Sequence, residues 1–191
     1  MIVLQEESIN NFHKIYLCMQ KQFPMYELKT EEEFLQLLHT QKYKCFSICN
    51  CGQKVGYTIV YFNDKSGFIW IDYLEIYEEF QSKGFGNLTL KAIIEKFYEY
   101  NRIYVEVEKP QKEDANTIRR IGFYQRFGFK KLDWNYFYPH KKGLYAMDLY
   151  CLPIHNTKMP EQELFKKDIK MTLSCLHGSL LSCREILTKF V

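Results

Sequence analysis

The sequence of 191 residues predicts a single α+β domain built around a mixed sheet. Two observations favour this class. Runs rich in Val, Ile, Tyr and Phe occur over 43–50, 54–62 and 68–76, and the short turns between them predict consecutive antiparallel strands. A helix-length segment then separates 68–76 from a further strand over 103–108, and a strand–helix–strand crossover requires those two strands to be parallel.

The remaining elements follow the same two periodicities. Residues 1–5 predict a strand, and Ser8 can cap a helix that runs to about Gln22. The spacing of Thr30 and Glu33 predicts a capping box that opens a second helix. The later elements are a helix over 84–100, the strand over 103–108, a helix over 115–127, and strands over 129–138 and 143–149.

The end of the chain predicts helices rather than strands. Pro160 can occupy the first turn of a helix with apolar residues on one face, and Gly178 can end it. That apolar face consists of Phe165, Ile169, Leu173 and Leu176. We therefore expect a domain over 1–150 and a helical extension over 151–191 that packs on it.

Composition and charge bear on partners and compartment. Hydrophobic residues at 47% and charged residues at 26% are typical of a globular chain, and a formal net charge of +3 does not favour a nucleic-acid partner. Seven cysteines and an opening without the features of a secretory signal predict a reduced, cytoplasmic protein. Cys49 and Cys51 have no second pair nearby, so we expect no metal. No apolar run approaches the roughly 18 residues of a membrane span, so we expect no membrane partner.

A pair of glycines lies between the strand over 68–76 and the helix that follows. Residues 81–86, with the sequence QSKGFG, leave a strand and open a helix. The glycines let backbone N–H groups approach a ligand, and the start of a helix adds unpaired donors and a positive dipole end, so a pyrophosphate is a natural ligand. The segment has no G-x-G-x-x-G, because Thr89 follows Gly86 by three residues, and no G-K-S/T ending.

This loop resembles motif A of the GNAT superfamily of acetyl-CoA-dependent N-acyltransferases, which reads Q/R-x-x-G-x-G/A. The family places an aliphatic residue five positions before the glutamine, and Ile76 fills that place. A second block agrees, because Tyr124 is followed after three residues by Gly128 and Phe129, as in the later GNAT segment where a helix ends. The resemblance covers roughly residues 1–150.

The resemblance implies a mostly antiparallel sheet of about seven strands flanked by about four helices, with a helical tail added here. It also implies a V-shaped splay between two central parallel strands, 68–76 and 103–108, which receives the pantetheine arm of acetyl-CoA. The cofactor-binding residues that it implies are Leu74, Ile76, Gln81, Ser82, Lys83, Gly84, Phe85, Gly86 and Asn87.

For catalysis the resemblance implies direct attack of an amine on the thioester. The backbone N–H of Ile76 would polarise the acetyl carbonyl, and Tyr124 would donate a proton to the departing thiolate, although a helix aromatic at this position can also be a core residue. The attacking amine, with a pKa near about 10, must first lose a proton. The candidate acceptors are Asp72, Glu106 and Glu108, of which Glu106 is preferred and Asp72 is the second choice.

The sequence therefore predicts an N-acetyltransferase that uses acetyl-CoA as co-substrate and forms a ternary complex with a primary amine. The acceptor can be a polyamine, an amino sugar, an amino acid or a protein amine, and the protein can be a monomer or a homodimer. The alternative is a catalytically silent module that binds CoA or acyl-CoA for sensing or for holding a partner. Such a module needs the glycine loop but not Tyr124.

Overall fold

The chain divides into two compact units, Met1–Tyr100 and Asn101–Val191. The computed structural model describes residues 1–23, 25, 27–110, 114–155 and 157–188. These residues form eight strands and six α-helices, and both units combine helices with antiparallel strands. The predicted α+β class with a mostly antiparallel sheet is therefore confirmed, whereas the division into 1–150 and 151–191 stays a prediction.

The first unit contains a four-stranded antiparallel sheet and three α-helices. In spatial order its strands are β1 (Ile2–Glu6), β2 (Tyr43–Asn50), β3 (Gln53–Asn63) and β4 (Phe68–Ile76). Its helices are α1 (Phe12–Gln22), α2 (Glu31–His39) and α3 (Phe85–Lys96). The predicted bounds of β2 and β4 are confirmed. The predicted end of the third helix at residue 100 is wrong, because Tyr98 and Tyr100 donate backbone hydrogen bonds to carbonyls three residues back, which is the geometry of turns.

Aromatic rings fill both faces of this sheet. On one face the buried ring of Phe34 from α2 lies 5.3 Å from Phe12 of α1 and 6.4 Å from Tyr43 of β2. On the other, Phe97 at the end of α3 lies 5.7 Å from Phe46 of β2. Successive strand residues point to opposite faces, so the odd-numbered Tyr43 and the even-numbered Phe46 place the two clusters on opposite sides. Aromatic residues, which make up 17% of the sequence, thus cover both faces of this sheet.

The second unit is organised around one long strand. Its strands are β5 (Arg102–Glu108), β6 (Lys130–Lys131), β7 (Tyr136–His140) and β8 (Gly143–Pro153). Its helices are α4 (Ala115–Arg126), α5 (Gln162–His177) and α6 (Leu181–Thr188). Strand β8 pairs antiparallel with each of the other three strands. The predicted apolar face of the tail is confirmed in α5, where all four of its residues are buried.

One predicted strand of this unit is interrupted. The sequence predicts a single strand over 129–138, and the structure has two shorter ones, β6 and β7. The N–H of Leu132 still donates to Leu149 of β8 at 2.8 Å, but the N–H of Trp134 donates to Leu132 and that of Tyr136 to Trp134. These bonds to carbonyls two residues back turn the chain, so the single-strand prediction is wrong at this point.

A buried ion pair joins the tail to the sheet of the second unit. Arg102 of β5 contacts Asp168 of α5, with Nη2 and Nε at 2.6 and 2.8 Å from the same carboxylate oxygen, Oδ2. The Tyr104 hydroxyl donates to that oxygen at 2.8 Å. The side chains of Arg102 and Asp168 are only 8% and 0% exposed. The helical tail is therefore attached to this unit by a desolvated charge pair as well as by its apolar face.

We predict that Asp168→Asn lowers the free energy of unfolding by about 3–5 kcal/mol, because it leaves the Arg102 charge buried without its counter-ion. Urea denaturation measures the change. Glu163→Gln is the control on the same helix, because its pair with Lys166 is solvent-exposed on the Glu163 side, and we expect less than about 1 kcal/mol there. Equal small losses for both variants would refute a stabilising role for the buried pair.

Candidate active site

The glycine loop begins where β4 ends. A single 3₁₀ turn, Glu78–Phe80, follows the strand, and Gly84 then caps α3 with a φ of 83°. Ser82 also has a positive φ, 60°. A Cβ on Gly84 would contact nothing within 4 Å, so glycine is needed there for its left-handed backbone and not for space. Residues 81–84 are exposed, which leaves this backbone accessible to a ligand.

The first turn of α3 presents donors at this loop. The N–H of Leu88 donates to the Gly84 carbonyl at 3.3 Å and is the first amide bonded into the helix. The amides of residues 85–87 precede it, and the amides of a first turn have no helix carbonyl within reach. Together with the positive end of the helix dipole, they form a site suited to an anion.

Side chains hold the loop against the end of β4. Gln81 donates through Nε2 to the carbonyl of Ile76 at 3.0 Å and to the Glu75 carboxylate at 3.1 Å. Lys83 donates to the Glu79 carbonyl at 2.7 Å. The glutamine that opens the motif therefore connects the glycine loop with the strand that precedes it. The structure brings together the predicted cofactor-binding residues on β4 with those in the loop.

Strand β4 lies unusually close to β3 at this end. Gly56 pairs with Ile76, and a Cβ added to Gly56 would lie 2.1 Å from the Glu75 carbonyl oxygen. Only glycine fits this contact without moving the backbone of β4. Leu74 pairs with Thr58 two steps along the same ladder, and both Leu74 and Ile76 are half-buried.

Asp72 lies where the pairing of β4 with β3 shifts register, and its carboxylate already contacts two other side chains. Its carboxylate oxygen Oδ2 lies 3.1 Å from Lys29 Nζ and accepts a hydrogen bond from the Tyr43 hydroxyl. The Asp72 side chain is 2% exposed. Both contacts come from donors, so the Asp72 carboxylate is already bound through this oxygen. Neither Lys29 nor Tyr43 was singled out by the sequence, where one is a linker lysine and the other begins a strand.

In the second unit Tyr124 is buried near the end of α4. Its ring meets Phe123 and Phe129 edge-on, with centroids at 5.0 and 5.4 Å. Gly128 adopts a φ of 88°, and the N–H of Phe129 returns to the Tyr124 carbonyl at 3.3 Å. The spacing of Tyr124, Gly128 and Phe129 is therefore that of a helix end folded back on itself.

The environment of Tyr124 keeps its phenol protonated. Burial raises its pKa from 10.0 to about 12, and the positive charge of Arg120 opposes that shift. At neutral pH the group is therefore a proton donor. Tyr124 is buried like a core aromatic and also has the chemistry of an acid, so its burial agrees with both interpretations of the sequence.

The two glutamates of β5 differ in their contacts. Glu106 is half-buried and accepts a hydrogen bond from the Tyr136 hydroxyl of β7. Glu108 forms an ion pair with Arg120 of α4 at 2.9 Å, with both side chains at least one-third exposed. The Tyr136 hydroxyl orients the Glu106 carboxylate, and this partner was not identified from the sequence, because it lies thirty residues further along the chain.

The residues that the structure describes form neither a metal-binding cluster nor a helix suited to span a membrane. No group of three or more His, Cys, Asp and Glu side chains is arranged to hold a metal ion among those residues. None of the described helices is both long and apolar enough to cross a membrane.

Comparisons with known proteins agree with these motifs. Spermine/spermidine N(1)-acetyltransferase of Bacillus subtilis (strain 168) is 38% identical over 79 residues, which are 38% of this chain and 48% of that protein. Putative acetyltransferase YjbC of the same strain is 28% identical over 116 residues, which are 60% of this chain and 56% of that protein. The chain thus spans about half the length of the curated relatives it matches.

A solved structure and a family model extend the comparison to most of the fold. A putative acetyltransferase from the GNAT family of Bacteroides thetaiotaomicron has a TM-score of 0.75 at 21% identity, covering 90% of this chain and 96% of that one, which shows a shared fold. The model of the acetyltransferase (GNAT) family matches residues 9–129. That match takes in more than half of the sequence, with both the glycine loop and Tyr124, and the chain therefore belongs to the acetyltransferase (GNAT) family.

Proposed function

We propose that this chain is an N-acetyltransferase that moves the acetyl group of acetyl-CoA to a primary amine. The observation that carries the proposal is the left-handed turn at Gly84, which opens α3 after β4 and a 3₁₀ turn and belongs to the exposed residues 81–84. Family membership supports it, because the turn is formed by the residues of motif A.

The loop and β4 would bind different parts of acetyl-CoA. Amides of residues 82–87 would hold the diphosphate, because first-turn N–H groups and the helix dipole both favour an anion. Backbone groups of Leu74 and Ile76 would bind the amides of the pantetheine arm. Bound acetyl-CoA supplies an activated acyl group, and the N–H of Ile76 would stabilise negative charge on its carbonyl oxygen during attack.

Tyr124 is the proposed donor of a proton to the departing thiolate. Its phenol is protonated at neutral pH, because burial holds its pKa at about 12. A thiol has a lower pKa in water, near about 8.5, but the same desolvation raises the pKa of any thiol beside it. A buried phenol therefore remains a suitable acid for a buried thiolate.

Glu106 is the proposed acceptor of the proton from the attacking amine, either directly or through a water molecule. It is half-buried, and Tyr136 orients its carboxylate. Asp72 is less suited, because Lys29 and Tyr43 already contact its carboxylate.

The acceptor that we propose is an alkyl amine, with a polyamine as the first to test. The segment of 79 residues shared with spermine/spermidine N(1)-acetyltransferase supports this class. The half-buried Glu75 and the exposed Glu78 and Glu79 add negative charge at the end of β4, where a cationic acceptor would be attracted. The cytoplasmic location and the state as monomer or homodimer remain predictions.

Substitution of Gly84 tests acetyl-CoA binding at the loop. We expect Gly84→Ala to weaken acetyl-CoA binding by roughly tenfold or more, because a left-handed backbone costs an alanine about 1–2 kcal/mol and the loop must relax away from its binding geometry. Isothermal titration calorimetry measures the affinity.

Gly52→Ala is the matched control. Gly52 has nearly the same φ, 81°, and the same open space around its Cβ position, but it lies in the turn between β2 and β3. It should lose similar stability and keep the wild-type affinity. If both variants bind acetyl-CoA as the wild type does, the assignment of the loop to the diphosphate is wrong.

Removal of the Tyr124 hydroxyl tests catalysis. We expect Tyr124→Phe to lower kcat by roughly 10²–10⁴-fold, the usual contribution of a general acid, and to leave acetyl-CoA affinity unchanged. In the wild type, any alkaline loss of rate that arises from Tyr124 should be centred near pH 12, because burial raises its pKa to about 12. Thiol release over a panel of amines that includes spermidine measures the rates.

Tyr61→Phe serves as the control, because it removes the hydroxyl of another buried tyrosine, one that accepts a hydrogen bond from Asn63 of the same strand. It should keep wild-type rates. A wild-type protein that binds acetyl-CoA but releases thiol with none of the amines would instead support the silent CoA-binding module, and an unchanged kcat in Tyr124→Phe would remove Tyr124 from the mechanism.

A further inference from the structure

Strand β4 contains a bulge at Asp72. Ile59 of β3 pairs with Tyr73, whereas its neighbour Val60 pairs with Ile71, so Asp72 is an extra residue with no partner of its own in the ladder. A bulge bends its strand and increases the local twist. The direction in which β4 continues beyond Asp72 therefore depends on how this one residue is held.

Lys29 and Tyr43 hold the Asp72 side chain. The Lys29 ammonium lies 3.1 Å from Oδ2, and the Tyr43 hydroxyl donates to the same oxygen. The side chains of Lys29 and Asp72 are 7% and 2% exposed, so the pair is desolvated. A desolvated carboxylate that accepts from two donors has little freedom to move. Because the Asp72 side chain is held, the backbone of the bulge is held with it.

The Lys29 ammonium also contacts two aromatic rings. It lies 5.6 Å from the centroid of Phe34 and 5.5 Å from that of Tyr73, both within the range of a cation–π interaction. Tyr73 directly follows Asp72, so one ammonium contacts both the bulged residue and its successor. Lys29 therefore constrains the point where β4 changes direction.

The backbone of Lys29 is itself fixed. Thr30, the next residue, is the N-cap of α2 and forms the predicted capping box with Glu33, which the structure confirms. The Tyr16 hydroxyl of α1 donates to the Lys29 carbonyl at 3.4 Å. Lys29 thus connects the bulge in β4 with α1 and α2, so the position of the bulge depends on the position of those helices.

We propose that Lys29 is a positioning residue for acetyl transfer: with Tyr43 it holds Asp72 in the bulge and thereby sets the direction of Leu74 and Ile76. The proposal rests on the proposed function of that strand segment, which is to bind the pantetheine arm and to present the Ile76 amide to the acetyl carbonyl. It makes Asp72 part of the support of the site instead of its base.

The chain offers a matched control for Lys29. Lys54 forms an ion pair with Glu7, whose side chain is 5% exposed and also accepts a hydrogen bond from the Ser47 hydroxyl. In both cases, within the same unit, a lysine and a hydroxyl contact one buried carboxylate. The Lys54 pair lies beside a different irregularity, where Val55 of β3 has no partner in the β2 ladder, and its lysine is 49% exposed. Lys54→Met therefore also removes an ammonium from a buried carboxylate but leaves the support of the β4 bulge at Asp72 in place.

The experiment compares Lys29→Met with Lys54→Met in kcat, in KM for acetyl-CoA and for the amine, and in hydrogen exchange of amides 73–76. We expect Lys29→Met to lower kcat by roughly tenfold or more, since small displacements of a reacting group cost that much or more, and to speed exchange of those amides. Lys54→Met should keep kcat and both KM values within about twofold. Equal kinetic and exchange changes in the two variants would overturn the proposal.

Two further variants separate the proposed role of Lys29 from a loss of folding and from the effect of an unpaired buried charge. Tyr43→Phe removes one hydroxyl only and should lower kcat severalfold, whereas the Tyr61→Phe control should not; an unchanged kcat in Tyr43→Phe overturns the proposal. In Lys29→Met/Asp72→Asn no buried charge is left unpaired. We expect its kcat to stay low, and a return to the wild-type kcat would show that only the buried charge had mattered.

The proposal can be judged even where the proposed function fails. If the wild-type protein acetylates none of the amines, the function is wrong, and acetyl-CoA affinity with hydrogen exchange then decides the role of Lys29. Faster exchange of amides 73–76 and weaker acetyl-CoA binding in Lys29→Met than in Lys54→Met would still support it. Equal values in the two variants would reject it.

Discussion

Strand β4 must stay paired with β3 although its paired stretch, 68–76, has one residue more than the facing stretch of β3, 56–63. Two features make this compatible with a tight sheet. At Gly56 the absent side chain lets β3 approach the Glu75 carbonyl, and at Asp72 the extra residue is held by Lys29 and Tyr43. The proposed cofactor strand lies between the bulge and the glycine loop, so its geometry depends on both ends being fixed.

Buried charges have a consistent place in this chain. In the first unit the Lys29–Asp72 pair connects the segment before α2 with β4, and in the second the Arg102–Asp168 pair connects β5 with α5. Each pair is desolvated and supported by a tyrosine hydroxyl. Because a desolvated pair contributes stability only when its geometry is well satisfied, such pairs fix the relative position of the elements that they join.

Much of the fold could be predicted because its signals are local. The bounds of β2 and β4, the capping box at Thr30 and the opening of a helix at the glycine loop all follow from a few neighbouring residues. The bulge could not be predicted, because alternation assumes that every strand residue has a partner. The contact of Lys29 with Asp72 could not be predicted either, because the two residues are 43 positions apart and no sequence motif connects them. The motifs of the candidate site could therefore be recognised from the sequence, whereas the residues that hold β4 in position could not.

The central claim is that the amides which open α3 bind the diphosphate of acetyl-CoA. Amide resonances of a ¹⁵N-labelled sample, titrated separately with CoA and with pantetheine, test it most directly, because pantetheine has no diphosphate. We expect CoA to shift the resonances of residues 82–87 and pantetheine to leave them in place. A CoA complex in which other resonances move and these do not would contradict the account.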